Sequence, residues 1–268
     1  MTNRINNYQA TLDFIKIFDM FTVLPELYSP EMLNENNDTA TLRYNLIHEE
    51  VTELEDALKA HDFVEVIDAL TDILYVVYGA GATFGIDLQK SFVQYCLNEK
   101  ILNCNIENGT HFENIMGGGT KIKLSPIMKN CFNNEHDMEY INSIVSYMKV
   151  GLATLQNILI KNINPHKLEA SLHNINYYVY NLGKYLKIDL DKCFDIVHSS
   201  NMSKVCNSLS EAEETVEWYK NNETRYDSPK LFESRNFPGK YLVRNESTGK
   251  ALKSINYTPA NFDCILNT

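Results

Sequence analysis

The sequence lacks the features of a membrane, secreted or nucleic-acid-binding protein. No apolar run reaches the roughly 20 residues that a membrane-spanning helix needs, and the first residues are too polar for a signal peptide. Positive charge is scarce, because 24 Lys and Arg residues stand against 35 Asp and Glu residues and leave a net charge of −11. An electrostatic binder of nucleic acid needs the opposite balance. We therefore expect neither a membrane nor a nucleic-acid polymer as a partner.

The six cysteines also lack any metal-binding pattern. They include no CxxC pair, so free thiols in a cytoplasmic protein are expected. The chain of 268 residues is 44% hydrophobic, which is enough to bury a core in one or two domains.

The clearest chemical feature is the acidic stretch EEVTELEDALKAHDFVEVIDALTD at residues 49–72. Three carboxylates follow the spacing i, i+1, i+4 and span about 100° of one predicted helix, and three more follow i, i+3, i+7 within about 60° of the next. The first set is Glu49, Glu50 and Glu53, and the second is Glu65, Asp68 and Asp72.

Apolar residues interleave with both acidic sets, and clustered carboxylates on such helices repel one another and are costly to desolvate. A divalent cation removes that cost, and ligands that are all oxygen atoms favour Mg²⁺, with Mn²⁺ as the other candidate. The alternative is that the carboxylates form a solvated helix face without a function.

These motifs resemble the MazG-like all-α nucleotide pyrophosphohydrolases, a superfamily that includes phosphoribosyl-ATP pyrophosphohydrolase and the dimeric dUTPases. The resemblance is to a phage and large-virus branch; it rests on EExxEL and DILYVVYGAGATFGID, and covers about residues 42–92 and 186–256. It implies that the six carboxylates hold Mg²⁺ and that Glu49 or Glu50 orients or deprotonates the attacking water. Ala69 stands where many members have the Glu of ExxD, so either Asp68 replaces it or the motif falls on Glu65 and Asp68.

An internal repeat relates residues 71–92 to residues 173–194 at an offset of 102, with ten of 22 positions identical. The second copy has lost the carboxylates. The equivalents of the six acids are Gly151, Leu152, Leu155, Lys167, Ala170 and Asn174. We interpret the second copy as a structural half that supplies within one chain the pairing that the family makes between subunits, which is compatible with either a monomer or a homodimer.

Substrate contacts are implied at two further places. The segment HSSNMSK, after the second copy, resembles a stretch of the same viral branch, and the resemblance assigns substrate binding to His198, Ser200, Asn201 and Lys204. Its alternative is an ordinary capped helix end. Arg43, two helical turns before Glu50, either contacts a substrate phosphate or forms a salt bridge with a neighbouring acid.

The sequence thus predicts a mainly α fold, a duplicated MazG-like helical-hairpin bundle with a small C-terminal β-hairpin. The expected divisions are a first repeat with the acidic metal site at 1–100, a linker or insert at 101–135, an acid-depleted second repeat at 136–220 and the β-hairpin tail at 221–268.

The predicted function is Mg²⁺-dependent hydrolysis of a nucleoside triphosphate, or a relative of one, to the monophosphate and pyrophosphate. A composite site formed by both repeats would catalyse this hydrolysis in the cytoplasm, or in the host cytoplasm if the protein is viral. One alternative is a phosphoribosyl-ATP or signal-nucleotide pyrophosphohydrolase, and an alternative of another class is a catalytically silent helical interaction module.

Overall fold

A computed structural model describes residues 6–23, 37–98, 132, 134–161 and 164–266, and every structural statement concerns these residues. Nearly all of the predicted insert at 101–135 lies outside them. The helices are α1 Asn7–Ile17, α2 Asn37–Ala60, α3 Phe63–Thr83, α4 Leu88–Asn98, α5 Glu135–Lys161, α6 Pro165–Tyr185, α7 Leu190–Met202, α8 Leu209–Asn222 and α9 Asp263–Leu266. The strands are β1 Pro229–Glu233, β2 Tyr241–Asn245 and β3 Ala251–Leu252.

The two acidic stretches form the helices of one hairpin, α2–α3. Its turn is short because His61 takes a positive φ of 56° and the Asp62 side chain caps α3, accepting from the backbone N–H groups of Val64 and Glu65. Apolar residues on the inner faces, such as Leu54 and Leu70, are fully buried between the helices. The predicted helical hairpin is therefore confirmed.

The second hairpin, α5–α6, ends in the same way as the first. The Ile86 N–H donates to the Gly81 carbonyl at 2.8 Å, and the Ile188 N–H donates to the Gly183 carbonyl at 2.8 Å. A Cβ on either glycine would lie under 3 Å from the side chain of the leucine that begins the next helix, so a larger residue would force that leucine to shift. The two glycines occupy equivalent positions of the internal repeat, 102 residues apart. We interpret this likeness as the result of a duplication.

The two hairpins pack against each other, with α2 against α5 and α3 against α6. The Lys149 ammonium and the Glu55 carboxylate, 3.0 Å apart, link α5 to α2 at the surface. The helix after each hairpin then crosses to the other one, so that α7 packs on α3 and α4 packs on α6. This exchange brings the C-terminal end of α7 against the acidic hairpin.

The C-terminal region differs from the predicted β-hairpin. It contains an antiparallel sheet of three strands in the order β1-β2-β3. The β2–β3 pair is the predicted hairpin, whereas β1 was not predicted. The strand β1 escapes sequence analysis because PKLFE begins with Pro and lacks a regular alternation of apolar and polar residues.

In the described part of the chain no helix is long and apolar enough to cross a membrane.

Candidate active site

The hairpin α2–α3 brings all six predicted carboxylates to one region. Glu50, Asp68 and Asp72 are half-buried, whereas the other three are exposed, and these are Glu49, Glu53 and Glu65. Along α3 the burial increases with distance from the turn at 61–62, because Glu65 is exposed whereas Asp68 and Asp72 are half-buried. Along α2 it does not, because Glu49 is exposed although it lies furthest from the turn.

Two of the half-buried carboxylates have strongly raised pKa values. Burial raises the pKa of Glu50 to about 8, and the negative charges of Asp72, Glu53, Glu49 and Asp68 add to the effect. Burial and the charge of Asp68 raise the pKa of Asp72 to about 7. Among the residues that the structure describes, the buried Glu50 Oε2 atom finds no hydrogen-bond partner. Positive charge near these carboxylates therefore offsets only part of the effects that disfavour their ionised forms.

The outer carboxylates take part in the same electrostatic cluster. Burial raises the pKa of Asp68, and Glu65 and Glu53 raise it further. Burial and the charges of Glu49 and Glu65 also raise the pKa of Glu53, although a hydrogen bond with Glu50 partly opposes the shift. The six acids thus act on one another, with Glu65 acting from the rim.

The end of helix α7 supplies a cation to this cluster. Burial lowers the pKa of the Lys204 ammonium. The negative charges of Asp72 and Glu50, which lie close to it, oppose part of that shift. Lys204 in turn lowers the pKa of Asp72. The Lys204 Nζ atom donates to Asn201 Oδ1 at 2.6 Å, so both predicted substrate residues lie together beside the acids.

Tyr75 links the acidic helix α3 to α7, and sequence analysis did not select it as a site residue. Its hydroxyl lies 3.0 Å from His198 Nδ1 and hydrogen-bonds to Asn201, and its ring stacks on Phe194 with centroids 5.1 Å apart. The desolvation of His198 lowers the pKa of its imidazole. A clue was available, because Tyr75 follows Asp72 by about one helical turn and has an identical equivalent in the repeat.

The C-terminal tail approaches Lys204 through Tyr257 and Lys253. The buried Ser200 hydroxyl donates to the Tyr257 hydroxyl at 3.1 Å, and Tyr257 is near enough to Lys204 to influence its pKa. The Lys253 Nζ atom lies 4.2 Å from the centroid of the Tyr257 ring, a cation–π contact. Ser200 therefore holds the tail in place, and Lys253 brings a second ammonium near Lys204.

Arg43 lies deeper along the same hairpin. Its side chain is only 6% exposed, and its guanidinium meets the Met20 sulfur at 4.0 Å. Its Nε atom has no hydrogen-bond partner within the described part of the chain. Burial lowers the pKa of Arg43 to about 10. Among the described residues no carboxylate pairs with it, so the salt-bridge alternative finds no partner there.

The donor set suits a hard divalent cation, because it consists of carboxylate oxygens and includes the unpartnered Oε2 atom of Glu50. Within the described ranges, no three Asp, Glu, His or Cys side chains stand ready to hold one metal ion as they are oriented. A cation at this position would require the carboxylates to turn toward it. The raised pKa values of Glu50 and Asp72 show that the cluster has uncompensated negative charge to offer.

Comparison with known proteins matches the same part of the chain. The family model for phosphoribosyl-ATP pyrophosphohydrolase matches residues 14–94, which include all six carboxylates and Arg43. An uncharacterized protein of Acanthamoeba polyphaga mimivirus is 32% identical over 271 residues, covering 99% of this chain and 97% of that protein. No solved structure matches. The chain therefore belongs to the MazG-like all-α superfamily of phosphoribosyl-ATP pyrophosphohydrolase, in a branch that it shares with a large virus.

Proposed function

We propose that this protein is a Mg²⁺-dependent nucleotide pyrophosphohydrolase that cleaves a nucleoside or deoxynucleoside triphosphate to the monophosphate and pyrophosphate. One observation carries the proposal: Lys204, from the second repeat, interacts electrostatically with Asp72 and Glu50 of the first. Phosphoryl transfer from a nucleotide requires carboxylates that bind a cation and, beside them, an ammonium group that binds phosphate. The family match supports a hydrolase that acts on the phosphoanhydride of a nucleotide.

Glu50, Glu53, Asp68 and Asp72 would hold Mg²⁺, or Mn²⁺, with Glu49 and Glu65 completing the set at the exposed margin. When bound, the ion would neutralise charge on the phosphates, polarise them and lower the pKa of a bound water. The carboxylates would then lose most of the repulsion that raises their pKa values without it.

Glu50 is the best candidate for the general base. It is half-buried and has an oxygen without a partner, whereas Glu49 is exposed. In the proposed reaction the oxygen of a water molecule bonds to the α-phosphorus, and Glu50 takes a proton from that water. The bond from the α-phosphorus to the bridging oxygen breaks, and pyrophosphate leaves.

The remaining residues would bind and orient the nucleotide. Lys204 offers a point charge to the phosphates, and Asn201 offers both a donor and an acceptor to a base edge. His198 and Ser200 would act beside them, fixed by Tyr75 and Tyr257 respectively. Arg43, buried with an unsatisfied Nε atom, would contact a phosphate from the opposite side. The proposed role is to cleanse or regulate a nucleotide pool, that of a host cytoplasm if the protein is viral.

The test is pyrophosphate release from a panel of canonical and modified NTPs and dNTPs with Mg²⁺, with phosphoribosyl-ATP and signal nucleotides included. Performing the reaction in ¹⁸O-labelled water adds a readout of mechanism, because attack at the α-phosphorus puts the label in the monophosphate. Release that needs Mg²⁺ and disappears in Asp72→Asn is the expected result. If only phosphoribosyl-ATP releases pyrophosphate, the protein is instead a phosphoribosyl-ATP pyrophosphohydrolase, the first alternative.

The matched control is Asp56→Asn, which removes one carboxylate from an exposed part of α2 that pairs with Lys59. Its activity should equal that of the natural chain. If no nucleotide in the panel releases pyrophosphate and no Mg²⁺ binds by calorimetry, the silent interaction module becomes the better account.

A further inference from the structure

The second hairpin has a surface groove where the first hairpin has its carboxylates. The groove lies between α5 and α6 and has a volume of about 620 Å³. Four of the residues that line it are the equivalents, at the offset of 102, of Glu49, Glu65, Asp68 and Asp72. These four are Gly151, Lys167, Ala170 and Asn174. The groove and the sequence repeat therefore identify the same location independently.

The groove keeps its place but reverses its charge. Across the six equivalent positions, six carboxylates are replaced by one ammonium and five uncharged side chains, so the formal charge changes from −6 to +1. Lys167 is exposed, and no carboxylate pairs with it among the residues that the structure describes. A divalent cation has no carboxylate ligand at these six positions, whereas an anionic group can meet the Lys167 ammonium.

The walls combine apolar surface with a few polar groups. Val150 and Ile158 contribute apolar surface. Gly151 lets α5 approach α6 closely at the floor, since a Cβ there would lie 3.2 Å from Asn174 Oδ1 and 3.1 Å from Ile175 Cγ1. A groove lined by an amide and by aliphatic surface suits a planar organic body that also forms hydrogen bonds.

We propose that this groove binds a nucleoside monophosphate without a divalent cation, as a second ligand site separate from the acidic cluster. The volume lies within the usual range for small-molecule sites. One lysine offsets about half of the charge of a monophosphate but a much smaller part of that of a triphosphate. The base and sugar would lie against the aliphatic walls and Asn174, and the phosphate would face Lys167. This proposal does not depend on catalysis at the first hairpin.

The test is isothermal titration calorimetry of the full chain in EDTA with AMP, GMP, CMP, UMP and their deoxy forms. We expect at least one monophosphate to bind and Lys167→Glu to weaken it by about 10-fold or more, since a charge-assisted contact becomes a repulsion. Lys167→Arg should retain binding. Ala170→Trp should abolish binding by filling the groove, and the exposure of Ala170 lets the larger side chain fit without disturbing the core.

The control variant Asp72→Asn separates this site from the acidic one, because binding in the groove should be the same with and without Asp72. Three outcomes would overturn the proposal: no monophosphate binds the natural chain in EDTA, binding is lost in Asp72→Asn, or Lys167→Glu and Ala170→Trp bind as well as the natural chain. Pyrophosphate release by the groove variants is measured separately, so that failure of this proposal is distinct from failure of the proposed enzyme activity.

Discussion

Replacing Asp72 by Asn is expected to stabilise the protein in the absence of divalent cations, even though it removes a proposed metal ligand. Burial and the charge of Asp68 raise the pKa of Asp72 from 3.8 to about 7, against the opposing effect of Lys204. The folded state thus holds this proton more tightly than the unfolded chain does. The free energy of unfolding must then fall as pH rises from about 3.8 to about 7, and remain low above it.

The magnitude follows from the pKa values. One pKa unit corresponds to about 1.4 kcal/mol, so the Asp72 carboxylate lowers the free energy of unfolding by about 2 kcal/mol at about pH 5.5 and by at most about 4 kcal/mol at about pH 8.5. An amide has no charge at either pH. The advantage of Asp72→Asn should therefore grow by about 2 kcal/mol between these two conditions.

The assay is urea denaturation in EDTA at both pH values, with Asp56→Asn as the control that removes the same charge from an exposed position on α2. Between the two pH values, the free energy of unfolding of Asp56→Asn should change by the same amount as that of the natural chain. Saturating Mg²⁺ should then stabilise the natural chain and leave Asp72→Asn nearly unchanged. The reasoning would be refuted if Asp72→Asn behaved like the control, or were less stable than the natural chain at about pH 8.5 in EDTA.

Three further outcomes are expected. Burial lowers the pKa of His173 to about 4, so as the pH falls the imidazole of the unfolded chain binds a proton before that of the folded protein does. The free energy of unfolding should therefore fall by up to about 3 kcal/mol as the pH drops from about 6.5 to 4, and His173→Gln should flatten that part of a profile of urea midpoint against pH. Gly183→Ala would put a Cβ 2.4 Å from Leu190 Cδ1 and should cost about 1–3 kcal/mol in thermal unfolding, because α7 must shift. Tyr75→Phe removes the hydroxyl 3.0 Å from His198 Nδ1. It should lower kcat/KM for pyrophosphate release about 10-fold while the free energy of unfolding changes by only about 1 kcal/mol, and an unchanged kcat/KM would assign the hydroxyl a structural role.

The hairpins and their acids were predictable because the information is local. A helical period of 3.6 residues decides which side chains share a face, so the spacing of Glu50, Glu53, Asp68 and Asp72 already places them on facing helices. The turn at His61 and Asp62 is equally local, since capping depends on neighbours in sequence. The repeat likewise indicated that the second hairpin shares the backbone but not the charges.

Long-range packing was not predictable in the same way. The amphipathic pattern of α7 shows that one face is buried but not which hairpin buries it, and the crossing to α3 is what brings Lys204 beside Asp72. The roles of Asn201 and Lys204 came from resemblance rather than from their spacing. Tyr257 was missed as a site residue because its contact with Ser200 joins positions 57 residues apart.

The most direct test of the composite site is pyrophosphate release by Asp72→Asn, by Lys204→Met, and by an equimolar mixture of the two variants unfolded and refolded together. The natural chain should release pyrophosphate with Mg²⁺. Both variants should be inactive, and the mixture should stay inactive, because one chain supplies both the carboxylates and the ammonium. Full activity in Lys204→Met would show that the second repeat does not contribute its ammonium group to the site. Recovery of activity in the mixture would show that the two halves of the site come from different chains.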